Sequence, residues 1–278
     1  MNPLGPPDHL DAARIVRESK SSFVPALRIL SSQRRKDLEV FYAFCRVVDD
    51  LADSGDSDND TRREALESWR AGFRDPQMRG LPGNLRELAR RRSLDSALFL
   101  ELLDGTATDL EAPVRMATRA DLDAYCHRVA GVVGLLCLPI FGADAARATP
   151  YAESLGRALQ YTNILRDTAS DLLRGRLYYP LDELAEAGLG PDNFAGEHGR
   201  RQRYLEAFAG RAEKLLAVAA EALPPADRRA LRPARIMSAT YALLLRKMRS
   251  DGLRVLEKRY RLSAAEKLAA VATGLFRG

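Results

Sequence analysis

Cysteine is scarce: Cys45, Cys126 and Cys137 are the only three in 278 residues. An odd number at wide spacing excludes a disulfide framework and the paired spacing of a zinc site. All three sit in apolar helical surroundings, which predicts buried, reduced thiols in a cytoplasmic protein. Strand signals are equally thin. Alternating β-branched runs and Asn-Gly or Asp-Gly hairpin turns are few, which argues against an all-β or alternating α/β fold. The N-terminal "MNPLGPPDHLDAARI" lacks a basic segment followed by an apolar run, so no signal peptide is expected. No uninterrupted apolar stretch approaches the roughly 18 residues of a membrane span, so no transmembrane helix is expected. No repeat of fixed period is evident, nor a linker between two autonomous units. Aromatic residues make up 7% of the chain.

What is abundant is Ala, Leu, Arg and Glu, a helix-forming composition. With 46% hydrophobic and 29% charged residues, a sizeable core is affordable in a soluble protein. The expectation is an all-α protein of one domain over 1–278, irregular over 1–8. Apolar spacing predicts helices over about 9–19, 32–53, 92–110, 121–141, 149–173, 201–223, 225–249 and 263–275. Asp60 or Thr61 is expected to cap a further helix that holds Trp69, the only tryptophan. The segment 174–199 reads as a loop-rich insertion. The net charge of +5 fits an acidic ligand, an anionic surface or simply a solvated arginine-rich exterior.

Two segments carry the chemistry. In "FYAFCRVVDDLAD" (41–53) the positions i, i+4, i+7 and i+11 are Tyr42, Arg46, Asp49 and Asp53. In "QYTNILRDTASDLLRGRLYYP" (160–180), Gln160, Asn163, Asp167 and Asp171 share one helical face in the same way. Each stripe ends in two carboxylates, and its flanks are apolar. A lone aspartate-rich helix end is ordinarily a solvated cap. A carboxylate stripe on a helix otherwise destined for burial must instead face water or cations. Mg²⁺ is commonly held by one or two carboxylates together with substrate phosphates. Two such pairs on facing helices would clamp Mg²⁺ around a diphosphate, with Arg46, Arg166 and the "RGR" loop (174–176) adding positive charge. Asp50 points off the first stripe, and its i,i+4 spacing to Arg46 also suits a structural ion pair.

With these motifs in view, the chain resembles the squalene and phytoene synthase family of head-to-head prenyltransferases from about residue 19 to residue 268. "SSF" (21–23) looks like the family's Ser-Phe motif. "YAFCRVVDDLAD" (42–53) and "QYTNILRDTASDLLRGRLYYP" (160–180) resemble its two aspartate-rich motifs. "YCHRVAGVVG" (125–134) is similar to its tyrosine- and glycine-bearing helix. The resemblance implies an isoprenoid-synthase-type helical bundle around a central cavity. It also implies Mg²⁺-assisted ionisation of one prenyl diphosphate and attack by a second, giving a cyclopropylcarbinyl diphosphate. Asp49, Asp53, Asp167 and Asp171 would bind Mg²⁺ (or Mn²⁺), with Asp50 as an additional member of the motif. Arg46, Gln160, Asn163 and Arg166 would contact diphosphate or orient ligands. Tyr42, Tyr125 and Tyr178, together with Arg46, would serve the reacting centre. Ser22, Phe23 and Val129 would meet substrate. Tyr241 and Arg259 stand where the family has a tyrosine and a diphosphate-contacting arginine.

Gly131 and Gly134 serve either helix packing or room for a prenyl tail. Tyr179, Cys126 and His127 read as packing or surface. The basic stretch 253–262 reads as a solvated face or a membrane-surface contact. The motif wording is most similar to bacterial presqualene diphosphate synthases of hopanoid pathways, which join farnesyl diphosphates and would not need NADPH here. A phytoene synthase joining geranylgeranyl diphosphates is the alternative, followed by a squalene or dehydrosqualene synthase. A class I terpene cyclase would pair one Asp-rich helix with an Asn/Ser/Glu triad, and a nucleotide hydrolase would need Glu-rich clusters; neither fits. A basic nucleic-acid module is disfavoured because the arginines are scattered. The expected place of work is the cytoplasm, with peripheral contact to the inner membrane face left open.

Overall fold

A computed structural model describes residues 4–19, 29–53, 57–111 and 113–276. Ser22 and Phe23 lie outside these residues. The chain opens with a short helix α1 (Ala12–Glu18), capped where the Asp11 side chain accepts from the Arg14 N–H. Helix α2 (Ser32–Asp53) carries the first aspartate-rich motif. Its inner face, Leu38, Phe41, Phe44 and Val48, is buried, as the apolar spacing demands. Helix α3 (Asn59–Arg74) is capped by Asp58 rather than by Asp60 or Thr61. The Asp58 Oδ1 accepts the Thr61 N–H at 2.7 Å, which places Asp60 inside the first turn.

The helix expected over 92–110 is found at 96–108, and a helix that no expectation covered precedes it. Helix α4 (Gly83–Arg92) ends at Ser93, which takes the left-handed conformation. Helix α5 (Ser96–Thr108) then restarts with Asp95 as its cap. The arginine-rich wording of α4 hides a buried stripe of Leu85, Leu88 and Ala89. Helix α4 is also held to α2 by a buried charge. Asp37 accepts from Arg91 at 2.5 Å, Arg92 at 2.7 Å and Gln33 at 3.0 Å. Burial pushes its carboxyl up, but these three donors more than offset that and hold it below the usual range. Between α2, α3 and α5 lies an aromatic cluster. Phe44 meets Trp69 edge-on at 5.2 Å, and Phe73 stacks on Phe99 at 4.4 Å. Each such pair is worth about 0.5–1.5 kcal/mol beyond its burial.

A two-residue strand β1 (Val114–Arg115) follows. Helix α6 (Arg119–Cys126) starts in a capping box of Thr118 and Asp121. It passes through a π-turn at His127–Gly131 into α7 (Val132–Phe141). This continuous run, Arg119–Phe141, is long and apolar enough by length and composition to cross a membrane, although Asp121, Asp123 and Arg128 interrupt it, so no uninterrupted apolar stretch reaches that length. Half of its most apolar window is buried inside the protein, as for the core helix of a bundle. Helix α8 (Ala145–Leu173) is the longest described and carries the second aspartate-rich motif. It starts ahead of the expected position because Asp144 caps it through the Arg147 N–H.

The expected loop-rich insertion contains a strand β2 (Arg176–Leu177) and a short helix α9 (Leu181–Glu186). The strands pair in parallel, Val114 with Arg176 and Arg115 with Leu177, and are the only strands among the described residues. The chain ends with α10 (His198–Glu221), α11 (Arg232–Ser250) and α12 (Ala264–Phe276). The fold is thus an all-α bundle. Helix α8 packs between α7 and α10 and also touches α6 and α11. Cys126 and Cys137 are buried, Cys45 is half-buried, and all three are free.

Candidate active site

Every member of both stripes lines one cavity of about 650 Å³. From α2 come Tyr42, Arg46, Asp49 and Asp53; from α8 come Gln160, Asn163, Asp167 and Asp171. Tyr125, Val129, Arg166, Tyr178, Tyr241 and Arg259 line the same space. Asp50 is not among the lining residues; it pairs with Arg46 along the outside of α2. The far part of the cavity is apolar, walled by Val133, Leu138, Phe141, Leu155, Leu159 and Leu231 among others.

Small residues let these helices close on one another. A Cβ on Gly134 would stand 2.8 Å from the Ala152 carbonyl oxygen, and one on Gly156 only 2.5 Å from that of Ala130. Gly134 therefore serves packing and, as a lining residue, cavity space together. Tyr179 is a packing residue: it is buried, stacks on Phe194 at 5.2 Å, and its hydroxyl meets that of Thr168 at 2.7 Å.

The polar lining of the cavity gathers five aspartates, Asp49, Asp53, Asp109, Asp167 and Asp171, with five arginines, Arg46, Arg166, Arg174, Arg176 and Arg259. Asp49 opens to the cavity, yet enclosure by protein pushes its carboxyl up to about 7. Asp109, Asp53 and Asp50 push in the same direction, against Arg46. Asp171 is also raised to about 7, by burial first and then by Asp167 and Asp109, against Arg176 and Arg174. Asp109 adds to the negative charge felt by one carboxylate of each stripe.

Four of the arginines pair directly with two of these carboxylates. Arg176 donates from Nη1 to Asp53 at 2.7 Å, and Arg174 lies 3.5 Å from the other Asp53 oxygen. Arg166 Nε donates to Asp167 at 3.0 Å. Arg259 Nε reaches the same carboxylate at 2.8 Å. The last contact corrects the reading of 253–262 as a solvated face. Leu253, Val255 and Tyr260 are buried anchors of that segment, and they carry Arg259 into the site.

One residue escaped the sequence reading. Asp109, at the end of α5, accepts a hydrogen bond from the Tyr178 hydroxyl at 2.7 Å and from the Tyr125 hydroxyl at 3.1 Å. The two rings stack, with centroids 5.0 Å apart and planes 21° from parallel. No motif marks Asp109, because its partners lie 16 and 69 positions away in sequence.

The donor set suits a hard divalent cation. Asp49 and Asp171 hold protons more tightly than free carboxylates do, because burial and then their neighbouring carboxylates disfavour the charged form. The Asn163 Oδ1 is buried with no hydrogen-bond donor in reach. Among the described residues no three His, Cys, Asp or Glu side chains form a ready-made metal cage. Paired carboxylates that leave coordination positions to water and phosphate oxygens are the arrangement Mg²⁺ favours.

Comparison with known proteins agrees with this geometry. The family described as squalene/phytoene synthase matches residues 16–266. A presqualene diphosphate synthase from Zymomonas mobilis is 35% identical over 244 residues, covering 86% of this chain and 84% of the relative. A phytoene synthase from Mycobacterium tuberculosis is 34% identical over 272 residues, covering 94% and 88%. Among solved structures, a dehydrosqualene synthase in complex with ligand superposes with a TM-score of 0.81 at 25% identity, covering 95% of this chain and 94% of that one.

Proposed function

This chain belongs to the squalene/phytoene synthase family, and on that premise we propose that it condenses two farnesyl diphosphates, 1′ to 1, into presqualene diphosphate. It is a prenyltransferase, and one diphosphate is released per condensation. The observation that carries the reading is the meeting of two Asp stripes at one end of a cavity whose other end is apolar. Diphosphate heads and prenyl tails sort themselves between those ends.

The carboxylates of Asp49, Asp53, Asp167 and Asp171 would hold Mg²⁺, with Mn²⁺ as a substitute. When bound, the ion neutralises charge building on the departing diphosphate. Arg166, Arg174, Arg176 and Arg259 already point their guanidinium groups into this end of the cavity. Each can exchange a carboxylate oxygen for a phosphate oxygen of the same geometry. Arg46 stands at the rim, and Gln160 and Asn163 offer amides to the same space. Asn163 is oriented by its own hydrogen bond to Gln160 at 3.2 Å. The stacked faces of Tyr125 and Tyr178 can stabilise an allylic cation once the leaving group departs. The apolar walls hold the tails and keep water from that cation.

A second reading has its own support. The M. tuberculosis phytoene synthase is matched over more of this chain than the presqualene diphosphate synthase, at nearly equal identity. Phytoene synthesis from geranylgeranyl diphosphate needs the same polar end and a longer tail space. In either reading the protein works in the cytoplasm beside the membrane that takes up its products; exposed Leu268 and Phe276 on α12 suit such a contact.

The test is turnover of purified protein with Mg²⁺ and each substrate in parallel, with and without NADPH, followed by mass spectrometry of extracted products. Presqualene diphosphate from farnesyl diphosphate without NADPH is the expected result. Phytoene from the C20 substrate selects the second reading. Squalene that appears only with NADPH extends the reaction by a reductive step. No product from either substrate overturns both readings.

A further inference from the structure

The metal clamp needs no part of Asp109, yet two tyrosines from separate elements converge on it. Tyr125 closes α6, and Tyr178 follows β2. The Tyr125 hydroxyl lies 3.1 Å from both carboxylate oxygens, and the Tyr178 hydroxyl 2.7 Å from Oδ1. The other charges facing this carboxylate are Asp49 and Asp53 from α2, Asp171 from α8 and Arg176 from β2. Arg176 also fixes the backbone beneath it, donating from Nη2 to the Asp109 carbonyl oxygen at 3.1 Å.

The condensation proposed above must dispose of a proton. The carbon that loses diphosphate adds to the double bond of the second substrate, which leaves a tertiary cation. Closing the three-membered ring uses the electron pair of a C–H bond on that same carbon. The pair becomes the ring bond, and H⁺ leaves. On the function proposed above the aromatic pair faces the developing cation, so the proton leaves beside it. A phenolate would accept it, but burial pushes the Tyr125 and Tyr178 hydroxyls well above their ordinary range, so both are neutral. A neutral phenol takes a proton on oxygen only as its own proton departs.

Resting on that reading, we propose that Asp109 is the terminal acceptor of the proton expelled on ring closure. The proton passes to the Tyr125 or Tyr178 oxygen, and that phenol's own proton passes to Asp109 along the existing hydrogen bond. Asp109 touches no reacting atom; it is a positioning and relay residue that acts through the tyrosines. Enclosure by protein raises its carboxyl to about 6, although hydrogen bonds from Tyr178 and Tyr125 and the charge of Arg176 lower it. A carboxylate of that affinity is charged at neutral pH, accepts a proton readily, and returns it to cavity water before the next turnover. The relay serves farnesyl and geranylgeranyl substrates alike, because both form the same ring.

The experiment compares two quantities in the full-length protein with Mg²⁺ and whichever substrate the wild type turns over: diphosphate released and cyclopropyl diphosphate, or its onward product, formed. Asp109→Asn keeps an acceptor for one hydroxyl but cannot take the proton. Diphosphate release should persist, while ring-closed product falls by about 10²-fold relative to it. The remaining cation should appear as prenyl alcohols captured by water. A purely structural role would lower both quantities together. An unchanged ratio in Asp109→Asn, at whatever rate, overturns the relay and leaves the released diphosphate as the base. If Asp109→Asn does not fold, the Tyr125→Phe, Tyr178→Phe double variant keeps the carboxylate and breaks both relays. It should show the same uncoupling, and an unchanged ratio there overturns the relay equally. A wild type that forms no ring-closed product from either substrate overturns the parent reading, and this inference with it.

Discussion

Asp49 and Asp171 sit among other carboxylates in a concave space, and that crowding has measurable effects. Asp49→Ala, Asp53→Ala, Asp167→Ala and Asp171→Ala should each lower kcat by about 10²-fold or more, roughly 2.7 kcal/mol of barrier. Each variant should keep the wild-type melting temperature within a few degrees, because none of these side chains fills the core. Full turnover by the Asp167→Ala, Asp171→Ala double variant would rule out the clamp. The raised carboxyls also set a pH dependence. The folded state keeps protons on Asp49 and Asp171 up to about pH 7, whereas an ordinary aspartate loses its proton near 3.8. Their contribution to stability is therefore full below 3.8 and declines as pH rises towards 7. A bound divalent cation should remove that penalty. Scanning calorimetry at pH 5 and 7.5 should find a larger Mg²⁺-induced rise in Tm at the higher pH; equal rises would contradict the argument. The stripes themselves were legible in sequence, because i, i+7 and i+11 spacing puts side chains on one face wherever the helix lies. Asp109 was not, because its importance arises only when α5, α6 and β2 meet.

At the scale of elements, long amphipathic segments were readable and close contacts were not. Helices α2 and α8 follow from apolar periodicity. The stop at Ser93, the β1–β2 pairing and the inward turn of 253–260 depend on tertiary contacts that no local pattern announces. The crossing of α8 beneath the π-turn shows how tight such contacts are. Gly156 sits so near the Ala130 carbonyl that a methyl group would fall 2.5 Å from its oxygen. Gly156→Ala should cost about 1–3 kcal/mol in stability, read from the urea midpoint. It should also lower kcat, since the displaced turn carries Val129 and adjoins Tyr125. A variant with wild-type stability would mean that the two helices separate more easily than their packing implies.

For the whole molecule, an excess of five positive charges coexists with a cavity crowded by carboxylates. In the cavity, arginines already occupy the positions that cations would take: Arg176 and Arg174 on Asp53, Arg166 and Arg259 on Asp167. A metal ion arriving alone must strip an arginine of its partner. Diphosphate arriving alone must compete with a carboxylate for that arginine. When they arrive together, each takes the group that the other displaces, so neither partner is stranded. The resting ion pairs thus make the two ligands cooperative, and thermodynamic linkage requires the effect to be mutual. Calorimetric titration should find Mg²⁺ binding at least about 10-fold tighter with inorganic diphosphate present, and diphosphate tighter with Mg²⁺ by the same factor; independent affinities would refute this. The consequence is economy of occupancy. In a cell where free Mg²⁺ is never absent, the site fills completely only when a prenyl diphosphate brings the exchange partner with it.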